Sequence, residues 1–314
     1  MSLKSSSPAL AEPIVVPGSV ANLGGGFDTL GVAVEVFLRA RVVDVRDDNG
    51  TRLTVRESAP PVSGRNAVER AFTLLAGRLG VQAPSVIVDV ESDIPMAAGL
   101  GSSAAATVAG LRVFERVVGA VPDETLLSVA AEAEGHADNA APALFGGLTS
   151  VVEEAGSFTA LRWSWPQGLR LVIATPAIGL ATAKARAALP DVLSRKDAIF
   201  NLQRVLSLVH ALQSGDDGRL RSAVEDRWHQ PARAELVPLL QDVLAVDDPE
   251  VLGAFLSGAG PSVAVLARRD FARIERLLAS LYARASVDVT LRTLAVHHFN
   301  AMAGAGVPAH GRTV

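Results

Sequence analysis

The chain has 314 residues, of which 49% are hydrophobic and 20% are charged. This is the composition of a globular protein of one or two domains, and it excludes a disordered or fibrous chain. Cysteine is absent, which excludes a disulfide framework, a thiolate zinc site, an iron–sulfur cluster and a cysteine nucleophile. The net charge of −4 and an aromatic content of 4% argue against a nucleic-acid partner.

The sequence predicts neither a membrane span nor a targeting segment. Residues 1–12 are polar, and we expect a flexible N-terminal tail there. The longest uncharged stretch, 94–111, contains too many glycine and serine residues for a membrane helix, so we expect no membrane partner. No secretion signal is visible, which predicts a cytoplasmic location.

The lysines exclude one class of nucleotide-binding protein. The chain has only Lys4, Lys184 and Lys196, and none of them follows a glycine. The Walker A loop requires a Gly-Lys pair, because its ammonium group reaches the outer phosphates. The sequence motifs of protein kinases are also absent. The chain is therefore neither a P-loop NTPase nor a protein kinase.

Strand patterns dominate the first half of the chain. β-Branched residues predict a strand at 13–17 and, at 32–46, one long strand or two strands joined by a bulge. Residues 47–50 predict a hairpin turn into a returning strand at 51–57, because Asn-Gly tolerates positive φ. Further strands are predicted at 85–90, 148–153 and 158–163.

Helical spacing of apolar residues accounts for most of the remaining chain. Asn66 is a suitable cap for a helix that runs to Leu79 and ends at Gly80. The other predicted helices lie at 102–118, 123–134, 179–188, 191–212, 217–227, 235–246 and 271–285. Strands in the second half are predicted at 169–174, 253–257, 262–266 and 286–298. Strands that crowd the first half and helices that crowd the second indicate an α+β fold with two packed lobes.

The strongest local signal for function is a loop of small residues before the predicted helix at 102–118. It consists of Pro95, Met96, Ala97, Ala98, Gly99, Leu100, Gly101, Ser102 and Ser103. Glycine lets the backbone approach an anion closely, and the start of a helix offers unpaired N–H groups and a positive dipole end. Such a loop binds phosphate without a lysine, and a serine hydroxyl next to it suits magnesium.

The same loop also matches the dinucleotide fingerprint G-x-G-x-x-A at 99–104. That fingerprint requires a direct turn from strand to helix and an acid that ends the next strand roughly 20 residues later. Here a loop with Pro95 intervenes, and Asp123 and Glu124 begin a helix instead. Nicotinamide binding is therefore disfavoured. By itself, the loop also fits a helix start whose small residues serve only close packing.

Three sequence boxes place the loop in a wider pattern. They are Pro-Gly-Ser-Val-Ala-Asn-Leu-Gly-Gly-Gly-Phe-Asp at 17–28, the loop with its flanks at 94–105, and Gly-Ala-Gly-Pro-Ser at 258–262. In this order and separation they resemble the GHMP kinase superfamily over about 13–300. Residues 134–147, Glu-Gly-His-Ala-Asp-Asn followed by Ala-Ala-Pro-Ala-Leu-Phe-Gly-Gly, are similar to the homoserine kinase family within it.

Some positions depart from the family pattern. Val20 and Gly25 replace a usual serine and proline in the first box, and Ala137 stands where proline is common. None of these changes removes a reactive group.

The resemblance implies a fold and an activity. It implies an N-terminal, ATP-binding lobe like ribosomal protein S5 domain 2 at 13–165, a ferredoxin-like C-terminal lobe at 166–314, and a homodimer. The implied reaction is transfer of the γ-phosphoryl group of ATP to the side-chain hydroxyl of L-homoserine, a step of threonine biosynthesis. The alternatives are a GHMP kinase for mevalonate, shikimate or a sugar, and a non-catalytic metabolite sensor with this fold.

The resemblance also implies roles for individual residues. ATP lies over 95–103, and Ser103 and Glu134 hold Mg²⁺. Arginine forks suit a carboxylate and aspartate suits an ammonium group, so both ends of the amino acid have partners. The implied substrate-binding residues are Asn22, Asp28, Asp138, Thr182, Arg186, Arg233 and Gly258.

The proton acceptor is left open by the sequence. The implied catalytic residues are Asn22 and Asp28, around the reacting hydroxyl, together with His136 and Asn139. Asn139 stands where several relatives have aspartate, and an amide does not accept a proton at neutral pH. Three routes fit: His136, another acid, or direct transfer to the phosphoryl oxygen, since a loose transition state needs little help from a base.

Overall fold

The computed structural model describes residues 2–3, 12–62 and 66–299. The N-terminal lobe contains β1 (Ser2–Leu3), β2 (Ile14–Ala21), β3 (Leu30–Arg46), β4 (Leu53–Ala59), β5 (Ser85–Ser92), β6 (Leu148–Glu154) and β7 (Ser157–Trp163). Its helices are α1 (Ala67–Leu79), α2 (Ser102–Val117), α3 (Asp123–Glu134) and α4 (Ala140–Phe145). These strands form a seven-stranded mixed sheet of order β4-β5-β3-β6-β7, with β1 and β2 also paired to β3.

The C-terminal lobe is a second, antiparallel sheet covered by helices. Its strands are β8 (Arg170–Pro176), β9 (Gly253–Leu256), β10 (Val263–Ala267) and β11 (Val289–Leu294). Its helices are α5 (Thr182–Ala187), α6 (Arg195–Ser214), α7 (Leu220–Ala223), α8 (His229–Arg233), α9 (Leu240–Leu244) and α10 (Phe271–Arg284). The sheet order β11-β8-β10-β9 is that of a ferredoxin-like lobe, which confirms the expected α+β class.

Parts of the predicted organisation lie outside the described residues. These parts are most of the tail at 1–12 and residues 300–314 of the predicted C-terminal lobe. The division of the chain at 165/166 stays a prediction. Among the described residues, no helix is both long enough and apolar enough to cross a membrane.

Local signals predicted α1 well. The side chain of Asn66 accepts a hydrogen bond from the N–H of Val68, and Gly80 ends the helix with a φ of 66°. Such a cap satisfies one orphan donor at the start, and the left-handed residue at the end suits glycine. The predicted strand at 32–46 is one long strand, β3, with a bulge between Val42 and Asp44 in its pairing with β5.

The predicted hairpin at 47–50 is wrong. β4 does not return along β3; it pairs in parallel with β5, which lies between β3 and β4. Parallel neighbours require a crossover connection, and α1 supplies it. An Asn-Gly turn reverses the chain locally, but the choice of neighbouring strand depends on contacts with residues more than 30 positions away.

The helices before β9 also differ from the prediction. The predicted helix at 217–227 is a 3₁₀ turn (Asp217–Arg219) followed by the short α7, and the helix at 235–246 reduces to α9. Between them lies α8, which the sequence did not predict. The carboxylate of Asp226 accepts hydrogen bonds from the N–H groups of Trp228 and Gln230, which ends one helix and starts another.

One apolar core is shared by the two lobes, and the C-terminal lobe has a second core cluster of its own on the other face of its sheet. The cluster that fills the N-terminal lobe extends to β8 and α6, where Leu171 and Leu208 belong to it. The last described residues also return to the first lobe, since the N–H of His297 donates to the carbonyl of Ala33. This continuous packing fixes the position of the cleft that lies between the lobes.

Glycine positions in α1 and α2 predict opposite effects on stability. A Cβ atom at Gly110, in α2, would lie 2.2 Å from the carbonyl oxygen of Val68, whereas a Cβ atom at Gly77 in α1 would meet nothing within 4 Å. We expect Gly110→Ala to lower the free energy of unfolding by about 1–3 kcal/mol through overpacking. The matched control Gly77→Ala is expected to raise it by about 0.5–1 kcal/mol. Urea denaturation measures both, and equal effects would contradict this packing.

Candidate active site

One cleft of about 340 Å³ between the lobes collects most of the sequence-predicted residues. Its lining includes Asn22, Asp28, Met96, Ala97, Ala98, Gly99, Gly101, Ser102, Ser103, Glu134, His136, Asp138, Asn139, Thr182, Arg186, Arg233 and Gly258. Pro95 and Leu100 do not line it. The Leu100 side chain is buried in the shared core, which leaves only its main chain next to the cleft.

The small-residue loop is held from outside by its carbonyl oxygens. The carbonyl of Leu100 accepts from the N–H of Ser19 at 3.0 Å, and that of Ala98 accepts from the N–H of Ser262 at 3.2 Å. The carbonyl of Gly99 accepts from the hydroxyl of Ser257 at 2.6 Å. The first and third sequence boxes therefore anchor the second, and they occupy the oxygens that would repel a phosphate.

The start of α2 has the properties of an anion site. Its N-cap is Gly101, which has no side chain to cap the helix, and its first turn contains no acidic residue. The first N–H groups of a helix have no partner within the helix and lie at its positive end. Ser102 and Ser103 begin the helix and line the cleft.

Both glycines of the loop have backbone conformations that favour glycine, and neither has room for a Cβ atom. Gly99 and Gly101 have φ values of 77° and 70°. A Cβ atom at Gly101 would lie 2.0 Å from the Ser19 hydroxyl, and one at Gly99 would lie 2.3 Å from the carbonyl oxygen of Ser257. The sequence predicted glycine here for close approach to a ligand; the structure adds close approach to the other two boxes.

Two side chains with oxygen atoms that suit a metal ion meet at one side of the loop, and they come from neighbouring helices. Oε1 of Glu134, at the end of α3, accepts from the hydroxyl of Ser103 at 3.0 Å and from that of Thr107 at 2.6 Å. A carboxylate and a hydroxyl suit Mg²⁺, which takes few protein ligands and completes its shell with phosphates and water. Within the described ranges, no group of three or more acidic or histidine side chains is placed to hold a metal. The donor set therefore fits an ion that arrives with a nucleotide.

Asp28 and Arg186 form an ion pair across the cleft. Both terminal nitrogens of Arg186 donate to the carboxylate of Asp28, at 2.9 and 2.7 Å. These hydrogen bonds raise the pKa of Arg186 above its ordinary value, against the effect of burial. Each side chain is 36% exposed, so the pair is accessible from the cleft.

Arg233 has a different environment. It is only 2% exposed, and it donates to the carbonyls of Ala185 and Gly258, both at 3.1 Å. Among the residues that the structure describes, no carboxylate lies within 4.0 Å of its guanidinium. Burial and then the repulsion of Arg186 lower the pKa of Arg233 to about 10. Asp28, Asp226 and Asp138 favour the charged form of Arg233 only from a greater distance. A buried cation without a directly paired carboxylate at the wall of a cleft suits an anion.

Phe27 lies beside both arginines. Its ring centroid is 5.6 Å from the guanidinium carbon of Arg186 and 5.3 Å from that of Arg233. These distances lie within cation–π range, so the ring restricts where the two guanidinium groups lie. Thus both arginines are held against one aromatic surface.

A polar network lines the wall next to Ser103 and Glu134. Nδ1 of His136 lies 2.8 Å from Oδ1 of Asp138, which also accepts from the amide of Asn139 at 3.2 Å. The amide oxygen of Asn139 accepts from the Ser19 hydroxyl at 2.9 Å. Burial by itself lowers the pKa of His136, but the hydrogen bond and charge of Asp138 outweigh it, so the pKa is raised.

Asn22 connects the first and third boxes at the centre of the cleft. Its amide nitrogen donates to the carbonyl of Gly258 at 2.9 Å, and its amide oxygen accepts from the N–H of Asp28 at 3.1 Å. Asn22 and Asp28 both have positive φ, at 73° and 53°. Such backbone conformations persist where the surrounding contacts enforce them, and they often occur at functional sites.

Sequence reasoning missed several residues of this site. Phe27, Thr107, Asn66 and Arg70 adjoin or line the cleft, and Ser19 supports the loop. Phe27 lies in the first box, but an aromatic residue at that position is equally consistent with a role in the hydrophobic core. Thr107 lies one turn after Ser103 on α2, so helical spacing was the available signal for it.

Comparisons with known proteins agree with the fold. The family profiles described as GHMP kinases N terminal domain and GHMP kinases C terminal match residues 66–147 and 208–285. A homoserine kinase of Deinococcus radiodurans is 42% identical over 260 residues, which cover 82% of this chain and 85% of that protein. A homoserine kinase of Solibacter usitatus is 37% identical over 270 residues, with 85% and 88% covered.

A solved structure shows the same architecture. The crystal structure of homoserine kinase from Cytophaga hutchinsonii matches with a TM-score of 0.81 and 27% identity, and the match covers 94% of this chain and 97% of that chain. These matches confirm the resemblance carried by the three sequence boxes and the two-lobed fold. The chain belongs to the homoserine kinase family of the GHMP kinases.

Proposed function

We propose that this protein transfers the γ-phosphoryl group of ATP to the side-chain hydroxyl of L-homoserine, giving O-phospho-L-homoserine for threonine biosynthesis. Family membership supports the reaction. The observation that supports an amino-acid substrate is the buried guanidinium of Arg233, which lacks a carboxylate partner among the described residues and faces the cleft. A substrate carboxylate supplies a directly paired counter-ion, and because Nε and Nη1 already contact Ala185, Gly258 and His229, the N–H groups of Nη2 bind it.

The nucleotide end of the site uses main-chain groups. The N–H groups at the start of α2 bind the phosphates of ATP, and Ser103 and Glu134 hold Mg²⁺. When bound, the ion neutralises charge on the phosphate oxygens. Thr107 holds Glu134 through the hydrogen bond of its hydroxyl and so orients the carboxylate.

The amino-acid end uses both arginines. Arg233 is fixed, whereas Arg186 exchanges its bond to Asp28 for one to the substrate carboxylate. A partly exposed ion pair contributes only about 0–1 kcal/mol, so this exchange costs little. Thr182, one helical turn before Arg186, and Gly258 line the same end of the cleft.

The remaining groups handle the ammonium and the hydroxyl. Both hydrogen bonds to Asp138 fall on Oδ1, so the ammonium group of the substrate binds at Oδ2. Asn22 and Asp28 position the reacting hydroxyl. His136 accepts its proton: Asp138 holds one ring nitrogen, and the other is available to the substrate. The homodimer and the cytoplasmic location stay predictions.

The direct test is a coupled assay of ADP release with L-homoserine, L-serine, mevalonate, galactose and shikimate as acceptors. We expect turnover with Mg·ATP and L-homoserine at the highest kcat/KM of the panel. Preference for mevalonate, galactose or shikimate would identify another GHMP kinase. Binding of nucleotide without turnover of any acceptor would identify a non-catalytic sensor.

Three substitutions rank the residues by role. Asn139→Ala removes a supporting amide, and we expect kcat/KM to fall about tenfold, as for other residues that hold a catalytic group in place. Glu134→Ala and Arg233→Ala remove charges that bind Mg·ATP and substrate, and we expect losses of about 10²–10³. Steady-state kinetics measure all three.

The matched control is Glu132→Ala. Glu132 lies two residues before Glu134 on α3, and its carboxylate lies 4.0 Å from Arg78 on the exposed surface. We expect this variant to keep the kcat/KM of the parent. A larger loss at Asn139 than at Glu134 would contradict the assigned roles.

The protonation state of His136 predicts a pH dependence. The proton acceptor must be neutral, and the pKa of His136 is raised from its ordinary value of 6.5. We therefore expect kcat to rise with pH through a midpoint above 6.5. His136→Gln should abolish this rise of kcat with pH, which is the acidic limb of the pH profile. It should also lower kcat by about 10²-fold, which is the low end of the effects seen for a general base, because the transition state is loose.

The control for this profile is His210→Gln, at an exposed position of α6. It should leave the limb in place. An unchanged limb in His136→Gln would exclude His136 as the acceptor and favour direct transfer to the phosphoryl oxygen.

A further inference from the structure

His229 is a fully buried histidine to which the proposed reaction assigns no role. It is the first residue of α8, one helical turn before Arg233, and it has no solvent-exposed surface. Its ring stacks on that of Phe27, with centroids 5.3 Å apart and an interplanar angle of 27°. The imidazole is therefore held between the first sequence box and the buried arginine.

Two contacts determine which ring nitrogen carries the proton. Nε2 lies 2.8 Å from the carbonyl oxygen of Gly24, and a carbonyl only accepts, so Nε2 must donate. Nδ1 lies 3.3 Å from Nη1 of Arg233, and a guanidinium only donates, so Nδ1 must accept. Both contacts require the same tautomer, protonated at Nε2 alone.

Burial favours a neutral His229 ring, although the charges around it act in both directions. Asp226 Oδ2, 3.6 Å from Nε2, and the more distant Asp28 favour protonation, whereas Arg233 opposes it. Burial is the largest effect, and the pKa of His229 is lowered. A proton on Nδ1 would also place an N–H group against the N–H groups of Arg233.

We propose that His229 is a positioning residue: its unprotonated Nδ1 accepts a hydrogen bond from Arg233 and so fixes the guanidinium for the substrate carboxylate. This inference rests on the proposed function. The guanidinium is then held at three points, by Nδ1 of His229 and by the carbonyls of Ala185 and Gly258. Because the carboxylate is bound equally in the ground state and the transition state, loss of the contact raises KM more than it lowers kcat.

Three variants separate the two ring nitrogens. His229→Phe keeps an aromatic ring on Phe27 but removes both nitrogens. An asparagine amide lies near the position of Nδ1, and a glutamine amide lies near that of Nε2. We expect His229→Phe and His229→Gln to raise the KM for L-homoserine about tenfold or more, the scale of one hydrogen bond to a charged group. His229→Asn should stay within about threefold of the parent, and the KM for Mg·ATP should change little in all three.

A double-mutant cycle distinguishes positioning from general packing. In the Arg233→Ala background, His229→Phe should cause no further rise in the KM for L-homoserine, because its effect passes through Arg233. A full additional rise would overturn the proposal, as would equal KM values for His229→Asn and His229→Phe. His210→Phe, on the exposed surface of α6, is the control for replacing a histidine by an aromatic ring.

A measurement on the unmodified protein covers the case in which the variants fail to fold. In the ¹⁵N spectrum of histidine-labelled protein, His229 should appear at neutral pH as the tautomer with a proton on Nε2 and none on Nδ1. A proton on Nδ1 would overturn the proposal. If the unmodified protein turns over no L-homoserine, the proposed function fails instead, and the spectrum still tests the contact with Arg233.

Discussion

The carbonyl oxygen of Gly258 is the contact on which the cleft depends. It accepts a hydrogen bond from Asn22 in the first box and another from Arg233 on α8. Its neighbour Ser257 donates to Gly99 in the phosphate loop. One turn of the C-terminal lobe thus positions the groups that we propose to bind the phosphates, the reacting hydroxyl and the carboxylate. Movement of this turn would displace all three together, because they share its backbone.

In the proposed reaction, the two arginines divide substrate recognition between an adaptable group and a fixed group. Arg186 is paired with Asp28 at a partly exposed position, so its charge is compensated before substrate arrives. Arg233 is buried and is held by carbonyl groups and by His229. A fixed cation without a directly paired carboxylate, in a region of low dielectric, attracts an anion strongly, and little reorganisation is needed when the anion binds.

Fold predictions succeeded where the structure depends on interactions between residues close in the sequence, and they failed where it depends on distant residues. The cap at Asn66 and the end at Gly80 depend on hydrogen bonds within a few residues, and both were predicted. The strand pairing after residues 47–50 depends on β5 and α1, and the hairpin prediction was wrong. The short α8 follows from the side-chain bonds of Asp226, which compete locally with a longer helix.

The sequence by itself, through the family resemblance that it carries, predicted the chemistry of this protein: a loop of small residues for phosphates, a serine and a glutamate for a metal, and arginines and aspartates for a zwitterion. Only the tertiary structure decided which of these charges are compensated. Asp28 and Arg186 are 158 positions apart, and Gly24 and His229 are 205 apart. Pairing and burial over such separations depend on how the whole chain packs, and burial without a directly paired carboxylate distinguishes Arg233 from the arginines at the surface.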